Sequence, residues 1–116
     1  MSKRNPLLYL SDILQSIEYI ESFLASVSED EFYKNVEKQD AVLRRLEIIG
    51  EAVRHLPESI KNKRTDIPWR QISGMRNVIV HEYFGVTLEM IWVVATDDML
   101  ILKSAVEKLI HELPHD

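Results

Sequence analysis

The chain has 116 residues, 46% of them apolar and none of them cysteine, which suits one domain with its own core and excludes disulfide and thiolate chemistry. Only three Gly and four Pro argue against a loop-rich or β-sandwich fold. Net charge is −5, yet residues 41–76 hold eight basic against four acidic side chains, so a local positive patch survives inside an acidic total.

Asn5 before Pro6 reads as a helix start, a capping side chain followed by proline at the first helical position. Leu7, Leu10, Leu14, Ile17, Ile20, Leu24 and Val27 then recur at steps of three and four, predicting an amphipathic helix that ends near Ser26. Ser28-Glu29-Asp30-Glu31 is a capping-box pattern, and Phe32-Tyr33 continues it as a short turn of helix. A second long helix runs to about Leu56, with Val42, Leu46, Ile49, Val53 and Leu56 as its stripe and Pro57 as its stop. Gly50 inside it costs about 1 kcal/mol relative to Ala, which close approach of another helix would offset. Residues 57–74, broken by Pro57, Pro68 and Gly74, read as a linker with short helical turns that Trp69 pins to the core.

Val78-Ile79-Val80 has strand-like composition, but no second strand is visible to pair with it, so the segment reads as a short helix ending at Gly85. Thr87 caps a last long helix whose buried face is Leu88, Ile91, Ala95, Met99, Leu102, Val106, Leu109 and Leu113, with Pro114 ending it. The expectation is an all-α bundle of three long amphipathic helices plus short ones, a single domain over 1–116. No signal peptide and no membrane-length apolar run is visible, and the lack of cysteine fits a reducing compartment, so a cytoplasmic protein is expected.

Arg76 and His81 flank the apolar triplet, with Asn77 beside the first and Tyr83 two positions after the second. Arginine grips phosphate in a planar fork and histidine moves a proton near neutral pH. His81 would act as general base on a ribose 2′-hydroxyl, or as acid on the leaving oxygen, while Arg76 stabilises charge building at phosphorus. Five helical positions span about 140° net, so the pair would not share one face of an ideal helix. A twofold dimer would let two motifs surround one cleft. By spacing alone, a structural His beside a surface Arg explains the pattern as well. Glu47 and Glu51 share a helix face and would either orient Arg76 or His81 or pair with Arg44, Arg54 or His55 on a wet surface. Asn77 would hold the motif backbone or contact substrate. Pro114 separates His111 from His115, and Asp97 and Asp98 point about 100° apart, so no metal site is expected.

Arg76-Asn77…His81-Glu82-Tyr83 resembles the signature of the HepT-like ribonuclease toxins of the HEPN superfamily. Leu46-Glu47-Ile48-Ile49-Gly50-Glu51-Ala52, Ile67-Pro68-Trp69-Arg70-Gln71-Ile72-Ser73-Gly74-Met75, and Phe84-Gly85-Val86 followed by Trp92 also resemble that family, in its order and with no large insertion. The resemblance implies a HEPN-type helical homodimer that cleaves RNA without a metal or other cofactor, using Arg76 and His81. It also implies a toxin–antitoxin pair. An MntA-type nucleotidyltransferase would be the antitoxin, using ATP to place AMP on Tyr83 and so making the chain a phosphoprotein. The added bulk and negative charge two residues from His81 would block the cleft. The alternative is a non-catalytic helical dimer that binds a nucleotidyltransferase or a nucleotide, with Arg76 merely gripping phosphate. The acidic net charge lends this alternative weight, since phosphate contacts dominate nucleic-acid affinity.

Overall fold

The computed structural model describes residues 5–81 and 87–114, with side chains except at 76–81. Helix α1, Pro6–Leu24, starts as its sequence dictates: the Asn5 carboxamide oxygen accepts from the Leu7 amide at 2.9 Å. It ends two residues before Ser26, which takes a left-handed φ of 61°. Leu10, Ile17 and Ile20 are buried as expected, but Ile13 is buried too, while Leu14 is only half-buried. The buried arc is wider than a single stripe because α1 packs against two partners, α3 and α7.

Helix α2, Glu29–Lys34, carries the full capping box, with the Ser28 and Glu31 side chains each accepting from the other's backbone amide at 3.2 Å. Its Phe32 is buried and meets Trp92 with ring centroids 5.4 Å apart. Helix α3, Val36–Arg54, follows at once, capped by Asn35. Gln39 ties the α2–α3 corner by donating to the carbonyls of Phe32 and Tyr33 at 3.0 and 3.1 Å. All five expected stripe residues of α3, with Leu56 just beyond it, are buried, and so is Gly50. α3 is the central element, packing against both α1 and α5.

The segment read from sequence as a linker over 57–74 is corrected by the structure. A short helix α4, Glu58–Lys61, is followed by a loop, and helix α5 then begins at Trp69 and runs unbroken to His81. Pro68 does not break it, because proline immediately before a first turn leaves no amide unsatisfied that the helix would use. Gly74 sits in the helix interior rather than ending one. Val78-Ile79-Val80 is helical, as the absence of a pairing partner required. The expected end at Gly85 falls outside the described residues. Trp69 does pin the loop: its indole N–H donates to the carbonyls of Lys61 and Arg64 at 3.1 and 2.9 Å.

The last long helix is not continuous. Helix α6, Leu88–Val93, capped by Thr87, passes into a π-helical turn, Val94–Asp98, and then into α7, Met99–Glu112. Its register explains the turn. Ile91, Ala95 and Met99 follow one another by fours, and eight α-helical residues overshoot two turns by about 80°. One wider turn, in which the Met99 amide reaches back to the Val94 carbonyl, holds all three on the core side. The Thr96 hydroxyl donates to the Trp92 carbonyl at 2.7 Å, competing with the backbone where the ladder opens. Lys103 on α7 reaches Glu21 on α1 at 2.9 Å, closing the bundle at that edge. The buried side chains form one core cluster, and there is no strand among the described residues.

Candidate functional site

Helix α5 carries the Arg-Asn-x-x-x-His segment on its last six residues, Arg76 to His81. The backbone there is helical, so positions 76 and 81 stand about 140° apart around the axis. The side chains of Arg76, Asn77 and His81, and the whole of Tyr83, lie outside what the structure describes. α5 is seated along α3, the helix that bears Glu47 and Glu51.

Those two carboxylates open onto a cleft of about 500 Å³ between α1 and the outer face of α3. Their neighbours on α3 are Arg44, Ile48, Ala52 and His55, and α1 contributes Tyr9 and Asp12. Glu47 pairs with Arg44 at 3.4 Å, and Glu51 pairs with Arg54 at 3.5 Å and with His55 at 3.1 Å. These are the surface partners that the i,i+3 and i,i+4 spacings named. Exposed pairs of this kind contribute little stability, about 0–1 kcal/mol each. The His55 ring stacks on Tyr9 with centroids 5.5 Å apart and planes at 14°. Tyr9 and Asp12 had no signal in the sequence, because only helix packing brings α1 to this wall.

The basic excess of the middle segment is mostly consumed locally. Beyond Arg44 and Arg54, Lys61 pairs with Glu58 at 3.8 Å, and Arg64 makes a two-pronged pair with Asp66 at 2.8 and 2.9 Å. That fork holds the Asp66 carboxyl below its usual range and raises the Arg64 guanidinium. Arg45 lies over the Tyr19 ring, 4.4 Å from its centroid. Lys63 and Arg70 make no ion pair among the described residues, and both are exposed. No group of three or more His, Cys, Asp or Glu among the described residues could hold a metal ion. No described helix is long and apolar enough to cross a membrane.

Residues 13–109 match the family model described as "Ribonuclease HepT-like". The chain is 40% identical over 107 residues to the "Probable ribonuclease HepT" of Thermococcus cleftensis, covering 92% of this chain and 97% of that one. It is 36% identical over 109 residues to a "Putative RNase" of Caldanaerobacter subterraneus subsp. tengcongensis, covering 94% and 97%. A "Gamma-glutamylcyclotransferase and putative RNase" of Methanocaldococcus jannaschii is 42% identical over 106 residues, where the match spans 91% of this chain but only 48% of that longer protein. No solved structure matches.

Proposed function

The chain belongs to the HepT-like ribonuclease family, and from that premise we propose that it is an endoribonuclease working through Arg76 and His81. The observation that carries the reading is that the family match over residues 13–109 runs through an unbroken Arg76-Asn77…His81-Glu82-Tyr83. The position of residues 76–81 on one continuous helix, braced by α3, supports it. In the reaction His81 takes the proton of a ribose 2′-hydroxyl as that oxygen attacks phosphorus. Arg76 neutralises the charge gathering on the phosphoryl oxygens. The 5′-oxygen of the next nucleotide leaves and takes a proton from water, while His81 returns its proton to solvent, giving a 2′,3′-cyclic phosphate and a 5′-hydroxyl end. Arginine supplies the cation and histidine the proton carrier, so the step calls for no metal. The angular separation of positions 76 and 81 favours a homodimer in which one copy's arginine serves the other's histidine.

The proposal extends to control. An MntA-type nucleotidyltransferase antitoxin would transfer AMP from ATP to the Tyr83 oxygen, releasing pyrophosphate. The adduct places a phosphodiester where substrate phosphate must enter, and like charges repel there. The other tyrosines are engaged elsewhere: Tyr9 stacks on His55, Tyr19 lies under Arg45, and the Tyr33 hydroxyl donates to Glu29. That hydrogen bond helps push the Tyr33 phenol up to about 12, which disfavours it as a nucleophile.

The test is incubation of the purified, unmodified chain with total RNA in EDTA, beside Arg76→Ala and His81→Ala. Cleavage by the parent and its loss in both variants is expected. Equal cleavage by parent and His81→Ala would sink the enzyme reading and favour the binding-module alternative. Co-expression with the nucleotidyltransferase should add AMP mass that maps to Tyr83, and an adduct on Tyr9, Tyr19 or Tyr33 instead would overturn the control scheme.

A further inference from the structure

We infer that the outer face of α5 is a track for single-stranded RNA, with Arg70 and Lys63 holding the phosphate backbone several nucleotides from the bond that is cut. The inference rests on the ribonuclease reading above and deepens it by naming where substrate beyond the reacting phosphate lies.

Register supplies the first argument. Positions 70, 74, 77 and 81 follow at i, i+4, i+7 and i+11, so they form one row along α5. The row starts at Arg70 and ends at the motif. Eleven residues rise about 16 Å, so a strand lying along it spans at most about five nucleotides at a stacked rise of about 3.4 Å.

Gly74 supplies the second. It stands in the middle of a 13-residue helix, where glycine is unfavourable, yet a Cβ built there meets nothing within 4 Å. No described part of the chain needs the missing side chain. A bare spot midway along the row is what a nucleic-acid strand lying close to the helix would require.

Charge and shape supply the third. A polar cleft of about 440 Å³ lies beside the start of α5, walled by Lys61, Asn62, Thr65, Arg70 and Gln71, with Glu58 also on its wall. Glu58 is taken by Lys61, and Asp66 by Arg64. Arg70 is thus left with its charge available among the described residues, next to amides and a hydroxyl that can bond phosphate and ribose oxygens, and Lys63, exposed in the loop that joins α4 to α5, adds a second available cation. Contacts of this type read no base, so the track is indifferent to sequence.

The test uses the His81→Ala chain, which binds without cutting, and fluorescein-labelled single-stranded RNAs of 20 and 2 nucleotides, read by anisotropy across a salt series. Arg70→Gln and Lys63→Gln should each weaken 20-mer binding by roughly threefold to tenfold and flatten the log–log salt slope by about 0.7. Arg70→Lys should restore the slope. The dinucleotide, too short to reach from motif to cleft, should be affected far less. Gly74→Ala should raise Tm, because alanine suits a helix and has room, while weakening 20-mer binding. A residue with a purely structural role would not move those two readouts in opposite directions.

An unchanged slope in the Arg70→Gln, Lys63→Gln double variant overturns the track, even if the parent cuts RNA. Failure of the 20-mer to bind at all overturns it too. Slope loss in that double variant, with a parent that cuts nothing, supports the track and removes only the chemistry.

Discussion

The π-helical turn between α6 and α7 makes a register prediction that can be worked to a number. Deleting Asp97, an exposed residue of that turn, removes the extra residue and lets an ordinary α-helix run from Leu88 to Glu112. Ile91 and Ala95 keep their places, and Met99, Leu102, Val106 and Leu109 return to the same buried slots, so the change should stay within about 1 kcal/mol. Deleting Ser104, also exposed, has no such reserve because α7 is regular there. Glu107 would move into the slot of Val106, which is 0% exposed, and Val106 into that of Ala105, also 0%. A valine forced into an alanine-sized slot costs about 1–3 kcal/mol, and an unpaired carboxylate in the place of Val106 costs several more. A total of about 5 kcal/mol or more rivals the whole stability of a domain this size. Urea titration followed by far-UV circular dichroism compares the two deletions. If removal of Asp97 lowers the midpoint as far as removal of Ser104, the turn is not a register device and the argument fails.

Three further outcomes follow from single side chains. Ser26→Gly should stabilise by roughly 0.5–1 kcal/mol in thermal unfolding, since a left-handed φ of 61° strains any residue with a Cβ; a lower Tm would count against that strain. Trp69→Phe keeps an aromatic ring but leaves the Lys61 and Arg64 carbonyls without the indole donor, so it should cost about 1–3 kcal/mol by urea unfolding. The lowered pKa of Asp66, caused first by its hydrogen bonds to Arg64, means its contribution is present at neutral pH and fades as pH falls below about 4 toward the folded-state value. Asp66→Asn should therefore flatten the acid limb of the midpoint-against-pH curve; an unchanged limb would show that the fork contributes nothing in solution.

How much of this fold was legible in the sequence depended on the range of the interactions involved. Asn5, Ser28 and Thr87 act within three residues of themselves, so their caps could be read directly. Arg44, Arg54 and His55 lie three or four positions from Glu47 or Glu51, and the ion pairs that this spacing allows are present, while any contact of either carboxylate with Arg76 or His81 falls outside the described side chains. The start of α5 was misread because Pro68 and Gly74 are ordinarily breakers. Proline just ahead of a helix is harmless, however, and the glycine's cost depends on what surrounds it, which spacing does not reveal. The π turn left a trace, two successive steps of four, that only a register check would have caught. Tyr9 and Asp12 facing α3, and Lys103 meeting Glu21 across 82 positions, left none.

The same division governs the site. Arg76, His81 and Tyr83 could be proposed from residue type and order, since the chemistry they would supply belongs to the side chains themselves. Whether a cationic fork and a proton carrier about 140° apart on one helix act together is a long-range question. α3 braces one flank of α5, and the described row from Arg70 through Gly74 leads away from the motif along another face. A strand held on that row reaches position 81 before position 76, because only position 81 lies on it. An arginine at position 76 of the same copy would have to approach around the helix, whereas one from a second copy meets no such constraint. The track and the proposed dimer are therefore coupled. Mixing Arg76→Ala with His81→Ala chains should restore part of the RNA cleavage that each lacks alone, through mixed dimers that retain one intact pair. No recovery after co-refolding would place Arg76 and His81 of a single copy in the same reaction and separate the track from the dimer.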